Sequence, residues 1–244
     1  MRRASPTLAV VDEFEVPDPS VALRGLDMAM AEAMRTQRAV RRLRTDPVSH
    51  EVLLPLLELS LKAPTSSNTQ DWSYLVVEDR SQKERLARLY RVIYRMFNPI
   101  VERMAAGDPG ALRQMRPGQW QAEHFADIPV FVIPCYRRGI KHRAVGRPQI
   151  AVSSFYGSVY PAVQNLLLGC RAVGLGASIQ TLPIWFVPAV RRILGLPRNI
   201  NPVCIIPIGW AEGRYGPTTR RPIGEVVHLD TYGNQPFLDR ARSH

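Results

Sequence analysis

The stretch Tyr160-Pro-Ala-Val-Gln-Asn-Leu-Leu-Leu-Gly-Cys-Arg-Ala-Val173 carries apolar residues around most of its circumference when wound at helical pitch. Val163, Leu166, Leu167, Cys170 and Val173 form one broad face, and Leu168 fills part of the other side. Such a helix has to be covered on more than one side. It therefore predicts a central buried helix, with Gly174 able to supply its C-cap.

The remaining chain offers both periods. Val21 to Gln37 places Leu26, Met30, Ala33 and Met34 at helical spacing and delivers Arg38, Arg41 and Arg42 at its end. Ser49 is a candidate N-cap for a run containing Leu53, Leu54, Leu56, Leu57 and Leu61; Pro55 means either that this helix kinks or that it begins near the proline. Ser81-Gln-Lys-Glu84 is a capping-box pattern opening a helix from about residue 82 to the mid-90s. Strand character belongs to Ser73–Glu78, to the proline-bounded run Ile128–Pro134, to Ala177–Thr181 and to Val203–Gly209. Val187–Leu194 reads as a helix ended by Gly195. These patterns alone leave the fold class open.

A chain of 244 residues with 45% hydrophobic content can bury a sizeable core. No linker divides it, so one domain over residues 23–232 is expected. Residues 1–22 read as a mobile arm, 107–121 as a lid or insertion rich in Gly, Pro, Arg and Gln, and 233–244 as a tail. The four-residue apolar run Leu8–Val11 near the start is too short for a secretory signal, and nothing approaches about 18 uninterrupted apolar residues. A soluble, cytoplasmic protein without a membrane partner is the expectation. Cys135, Cys170 and Cys204 lie in apolar patterns without metal-ligand spacing and read as buried reduced thiols. No histidine pair has metal spacing and no serine sits in a G-x-S-x-G elbow, which argues against a metalloenzyme or hydrolase.

The net charge of +11 raises nucleic acid as a partner. Only three of the 32 basic residues are lysine, and such an arginine bias can follow genome composition. No nucleic-acid-binding signature accompanies the arginines, so nucleic acid is not the expected partner. The one dense cluster is Arg35 to Arg44.

Between an apolar segment and the first strand lies Ala63-Pro-Thr-Ser-Ser-Asn-Thr-Gln-Asp-Trp72. Its run of small polar side chains can form a shelf that hydrogen-bonds a flat, heteroatom-rich ligand. Composition alone reads it as an ordinary Ser/Thr/Asn turn. Pro64-Thr-Ser-Ser-Asn68-x-Gln70-x-Trp72 resembles the Pro-Ser-Ser-x-Asn-x-Gln-Pro-Trp segment of the FMN-dependent nitroreductase family. Three other stretches resemble that family in the same order. They are Gln37-Arg-Ala-Val-Arg41-Arg42-Leu43, the helix Tyr160–Val173 with its Gly174-Leu-Gly176 exit, and Ile206-Pro-Ile-Gly209-Trp with Arg220-Arg221-Pro222 beyond it.

The resemblance, covering roughly residues 35–228, implies an α+β fold: a small, mostly antiparallel sheet flanked and crossed by helices, built as an intertwined homodimer with FMN at the subunit interface. It implies an oxidoreductase that takes hydride from NADH or NADPH at flavin N5. Electrons then pass by ping-pong to a small-molecule acceptor such as a nitroaromatic or quinone. A specialised flavin enzyme of the same fold, whether a dehydrogenase, a reductive dehalogenase or a flavin-fragmenting enzyme, is the alternative, and a flavin-storing or basic nucleic-acid-associated protein is a third reading. No G-x-G-x-x-G follows a strand, so no separate dinucleotide site is expected.

The implied FMN contacts fall on Arg38, Ala39, Arg41 and Arg42, with Arg220 and Arg221 closing the phosphate side if the tail folds back. Arginine forks match a phosphate dianion, although a solvated basic face has the same composition. Arg41 or Arg42 is assigned to the pyrimidine edge of the ring, where reduction places charge. Pro64, Thr65, Ser66 and Asn68 are implied to border the isoalloxazine, and Ser178, Ile179 and Gln180 to run past N5, with a backbone NH toward it. Gln37 and Ala39 depart from the family's usual Arg and Ser, and Asp71 from its Pro. Gln70 and Trp72 are equally structural. Trp120, His124, Phe125 and Tyr156 are the candidates facing a substrate around the lid, with core packing as their other reading.

Overall fold

The computed structural model describes residues 14–137 and 148–238. Their order is helix α1 (Pro19–Leu23), α2 (Met30–Thr36), α3 (His50–Ser60), strand β1 (Trp72–Val77), α4 (Arg80–Met104), α5 (Pro109–Glu123) and β2 (Val130–Arg137). The chain continues through α6 (Pro148–Ala172), β3 (Leu175–Ala177), α7 (Val187–Leu194), β4 (Ile200–Pro202) and β5 (Ile206–Trp210). Every pairing among these strands is antiparallel, in the order β1-β2-β5-β3, with β4 also on β2. Mixed helix and antiparallel sheet is the α+β architecture expected.

β2 explains how the layers stack. Val130 and Val132 turn to one face of the sheet, into a core shared with Leu53 and Leu56 of α3 and Val163, Leu166 and Cys170 of α6. Phe131, Ile133 and Cys135 turn to the other face, among Leu86 and Tyr90 of α4, Phe125 and Val190 of α7. Alternate side chains thus serve two cores, which is why the run is apolar at both parities. α6 is buried along Val159, Ala162, Val163, Leu166, Leu167 and Cys170, while Leu168 on its other flank is half-buried in the single chain.

Several boundaries differ from the sequence reading for local reasons. The helix expected over Val21–Gln37 is interrupted: α1 passes into a 3-10 turn at Arg24–Asp27, and α2 starts afresh at Met30. Gly25 packs against the carbonyl of Ala172 so closely that a Cβ would overlap it. α3 begins at His50, with Ser49 at its N-cap position but making no side-chain cap bond, and runs through Pro55. The cap of α4 is Asp79, which accepts from the Gln82 amide at 2.8 Å, two residues ahead of the expected serine. Gly107–Gln121, read as aperiodic, forms most of α5 despite Pro117; it packs on α4, and this contact outweighs its poor propensity. Within the segment read as an arm, Phe14 lies 6.1 Å from the Trp210 ring and Ala22 is buried; residues 1–13 lie outside the described residues. Gly195 ends α7 in the left-handed conformation, with φ 66°.

Candidate active site

Beyond α2 the chain runs extended from Arg38 to Arg44 and is stitched to the end of the sheet. Val40 N donates to Ala177 O at 3.0 Å, Arg44 N to Trp210 O at 2.8 Å, and Glu212 N to Arg42 O at 3.1 Å. Leu43 bridges Ala211 and is buried. The segment lies so close to β3 that a Cβ on Gly176 would overlap Leu43 and Val40. With those two side chains turned inward, Arg38, Arg41 and Arg42 line a cleft of about 200 Å³ together with Ala39, Arg214 and Tyr215. Glu212 is its one carboxylate. Among the described residues, none of the four arginines is in an ion pair.

Tyr215 fixes the far wall. Its hydroxyl donates to Leu175 O at 2.5 Å and the Arg171 guanidinium lies 4.3 Å from its ring, while burial pushes its ionisation well above the ordinary tyrosine range. Arg214 and Tyr215 were not singled out in the sequence. Their only signal is a place between the last strand and the basic pair at 220–221.

Arg220 and Arg221 are exposed and do not line this cleft. The tail does fold back: Thr218 donates to Arg35 O through both its amide, at 3.0 Å, and its hydroxyl, at 3.2 Å. That tie brings the basic pair to the chain beside the end of α2.

Trp120 and His124 stack at 4.4 Å and line a neighbouring cleft of about 240 Å³ with Arg44, Asp46 and Glu212. Arg42 joins the two clefts, its guanidinium 5.7 Å from the Trp120 ring centre. Phe125 lines neither cleft; it is fully buried, stacked on Phe131 at 4.4 Å. Tyr156 stands exposed on α6 beside Tyr160.

The polar shelf forms a 3-10 turn at Ser66–Asn68. Ser67, Asn68 and Gln70 have φ of 52°, 50° and 50°. Three non-glycine residues in the left-handed region within four positions store strain of order 1 kcal/mol each, least for Asn. The turn is held by the Gln70 amide on Thr65 Oγ1 at 3.2 Å, by Gln70 Nε2 on Asn68 Oδ1 at 3.1 Å, and by the Ser66 amide on Ser158 Oγ of α6 at 3.1 Å. The turn Ser66–Asn68 thus sits against α6, and none of Pro64, Thr65, Ser66 and Asn68 lines the arginine cleft of the same chain. After β3, Ser178 and Gln180 turn inward and are buried, whereas Ile179 between them is exposed.

Residues 34–210 match the nitroreductase family. The chain belongs to the nitroreductase family. Among its relatives, an NADH dehydrogenase of Thermus thermophilus is 29% identical over 199 residues, covering 78% of this chain and 91% of that protein. An iodotyrosine deiodinase of Daphnia pulex is 22% identical over 228 residues, covering 90% of this chain and 72% of that protein. The crystal structure of oxidized iodotyrosine deiodinase bound to FMN and 3-iodo-L-tyrosine superimposes with a TM-score of 0.62 at 20% identity, covering 84% of this chain and all of that one. The nitroreductase fold is therefore shared, and the matched span holds the arginine segment, the shelf and all five strands. No helix among the described residues is long and apolar enough to cross a membrane.

Proposed function

We propose that this nitroreductase-family protein is an FMN-dependent oxidoreductase that draws hydride from NADH or NADPH. The observation that carries this reading is the cleft at Arg38, Arg41, Arg42 and Arg214, four cations against one carboxylate with no ion pair to neutralise them among the described residues. Unpaired guanidinium forks converging on one cleft fit a phosphate dianion, which accepts paired hydrogen bonds from each. Its volume of about 200 Å³ suits the phosphate and part of the ribityl chain rather than a whole flavin. The residues lining the cleft thus suit the phosphate end of FMN, and the ring would lie beyond it.

When bound, the flavin supplies hydride acceptance and donation at N5 for a donor and an acceptor that take turns in one cavity. The chain's own residues bind and orient it. Arg38 and Arg214 hold the phosphate, with Arg221 and Arg220 approaching along the tail; Ala39 allows close approach; Arg41 and Arg42 reach toward the pyrimidine edge. Ser178, Ile179 and Gln180 form a strap beside N5. Because Pro64, Thr65, Ser66 and Asn68 lie away from the arginine cleft of their own chain, on a segment whose turn packs on α6, they serve the flavin of a partner subunit in a homodimer. The half-buried Leu168 flank of α6 supports such a partner. Trp120, His124 and Tyr156 border the substrate.

A nitroaromatic or quinone is the acceptor in this reading. Similarity to an iodotyrosine deiodinase over 90% of the chain favours a second one, reductive removal of halide from a halogenated aromatic. The test is a purified protein given FMN, reduced anaerobically with NADH and NADPH in parallel, then offered a nitroaromatic, a quinone and a halotyrosine. Rapid reoxidation by the first two supports the leading reading, and halide release with the third supports the second. A protein that retains no flavin after adding FMN and dialysing defeats both.

A further inference from the structure

Beneath the strap lies a closed group of polar side chains that includes two of the strap's own. Gln121 of α5, Ser178 and Gln180 are all buried, and Tyr90 of α4 is buried beside them. The Tyr90 hydroxyl donates to Gln180 Oε1 at 3.2 Å, and Gln180 Nε2 donates to Gln121 Oε1 at 2.6 Å and to Ser178 Oγ at 3.1 Å. Gln121 Nε2 completes the ring by donating to Ser178 Oγ at 3.1 Å. A core that needed only volume would hold leucine here without the cost of desolvating two amides and two hydroxyls. What the network adds is direction, because displacing one amide leaves the groups around it unpaired.

That direction is imposed on the strap. Gln180 exchanges backbone hydrogen bonds with Ile205 at 2.9 and 2.8 Å, and Ala177 O accepts from Val40 N at 3.0 Å. Between these two anchors, Ser178 and Gln180 point to the network and Ile179 points out, 37% exposed. The chain from Ala177 to Gln180 is thus held at its ends by the sheet and by the arginine segment, and from below by α4 and α5. Burial raises the Tyr90 hydroxyl's pKa to about 12, opposed only in part by the charge of Arg41, so Tyr90 remains a donor at neutral pH.

We propose that Gln121 is a positioning residue for the redox site: through Ser178 and Gln180 it sets the strap whose outer face, at Ile179, meets the flavin. The proposal rests on the functional reading above, and it makes the α4–α5 hairpin a structural control on the ring's environment.

The test uses the FMN-loaded protein. In Gln121→Leu, FMN affinity stays within about threefold of wild type, the visible circular dichroism of the bound flavin changes, and reduction at saturating NAD(P)H slows about tenfold. Gln121→Glu keeps the acceptor for Gln180 and recovers most of the rate. Replacing the network as a whole, in Gln121→Leu with Ser178→Ala and Gln180→Leu, recovers the thermal midpoint but neither the flavin signal nor the rate. Recovery of all three would mean that the network only fills the core, and an unchanged Gln121→Leu would overturn the proposal outright. If that variant does not fold, Tyr90→Phe carries the test: it deletes one hydroxyl and should alter the same flavin signal, and an unaltered signal counts against the proposal. A wild-type protein that binds no FMN defeats the functional reading itself; one that binds FMN but is indifferent to these variants defeats this proposal alone.

Discussion

The amide of Val40 donates to the carbonyl of Ala177 at 3.0 Å, which joins the arginine segment directly to the strap that follows β3. Two pieces of chain far apart in sequence thereby share one position, and Gly176 lets them approach. Gly176→Ala would push a Cβ into Leu43 and Val40. Overpacking of this kind costs about 1 to 3 kcal/mol. We expect a lower denaturation midpoint together with weaker FMN binding, both measurable on one preparation; weaker binding with an unchanged midpoint would contradict the packing argument.

If the cleft holds the FMN phosphate as proposed, Arg38→Ala and Arg214→Ala each remove a charge-assisted contact worth about 1.5 to 3 kcal/mol, or roughly ten- to a hundredfold in FMN affinity. Fluorescence titration of the flavin-free protein reads this directly. Arg88 lines a different cleft, on α4, so Arg88→Ala should leave the affinity unchanged.

On the shelf, Ser66→Ala with Asn68→Ala should keep most of the FMN while altering its absorption spectrum and slowing reduction. A lost hydrogen bond of about 1 kcal/mol gives a several-fold effect, and a misplaced ring about a hundredfold. Stopped-flow reduction separates these cases, and a double variant identical to wild type would leave the segment as a strained turn and nothing more.

Cys135, Cys170 and Cys204 are buried, and burial pushes each thiol from the ordinary 9.0 up to about 12. An acid whose pKa is raised on folding contributes stability that is whole below its unfolded value and is lost as pH rises through the folded one. The unfolding midpoint should therefore hold to about pH 9 and fall progressively toward pH 12. The same burial keeps the reactive thiolate scarce, so a disulfide reagent at pH 8 should modify the thiols only after denaturation. Rapid modification of the native protein would show that the core opens.

Val92, Met96, Ile100 and Met104 recur every four residues of α4 and are all exposed in the single chain. An apolar stripe of that length is uncommon on a soluble monomer. Light scattering over a dilution series should find a homodimer, and a flavin-loaded monomer at submicromolar concentration would contradict the shared site.

Much of this arrangement is legible in the sequence because burial writes itself into periodicity. The apolar circumference of Tyr160–Val173, the proline-bounded β2 and the glycine after α7 each act locally. The arginine cluster is legible too, since charges at such density seldom lack a partner. What escapes is relational. Gly25 breaks a helix because of Ala172, and α5 forms on α4 although its own composition disfavours helix. Arg214 belongs to the cleft only because the chain leaves β5 beside Arg42, and Gln121 looks like a surface residue until Ser178 and Gln180 are brought to it.

Thr218 and Arg35, which close the tail over the end of α2, stand 183 residues apart. Arg42 and Arg44 likewise wait for Glu212 and Trp210. On a ribosome the arginines emerge well before their wall, so the cleft has no existence until β5 and the turn beyond it have been made. A product truncated before β5 would carry the basic segment without the pocket that gives it a use.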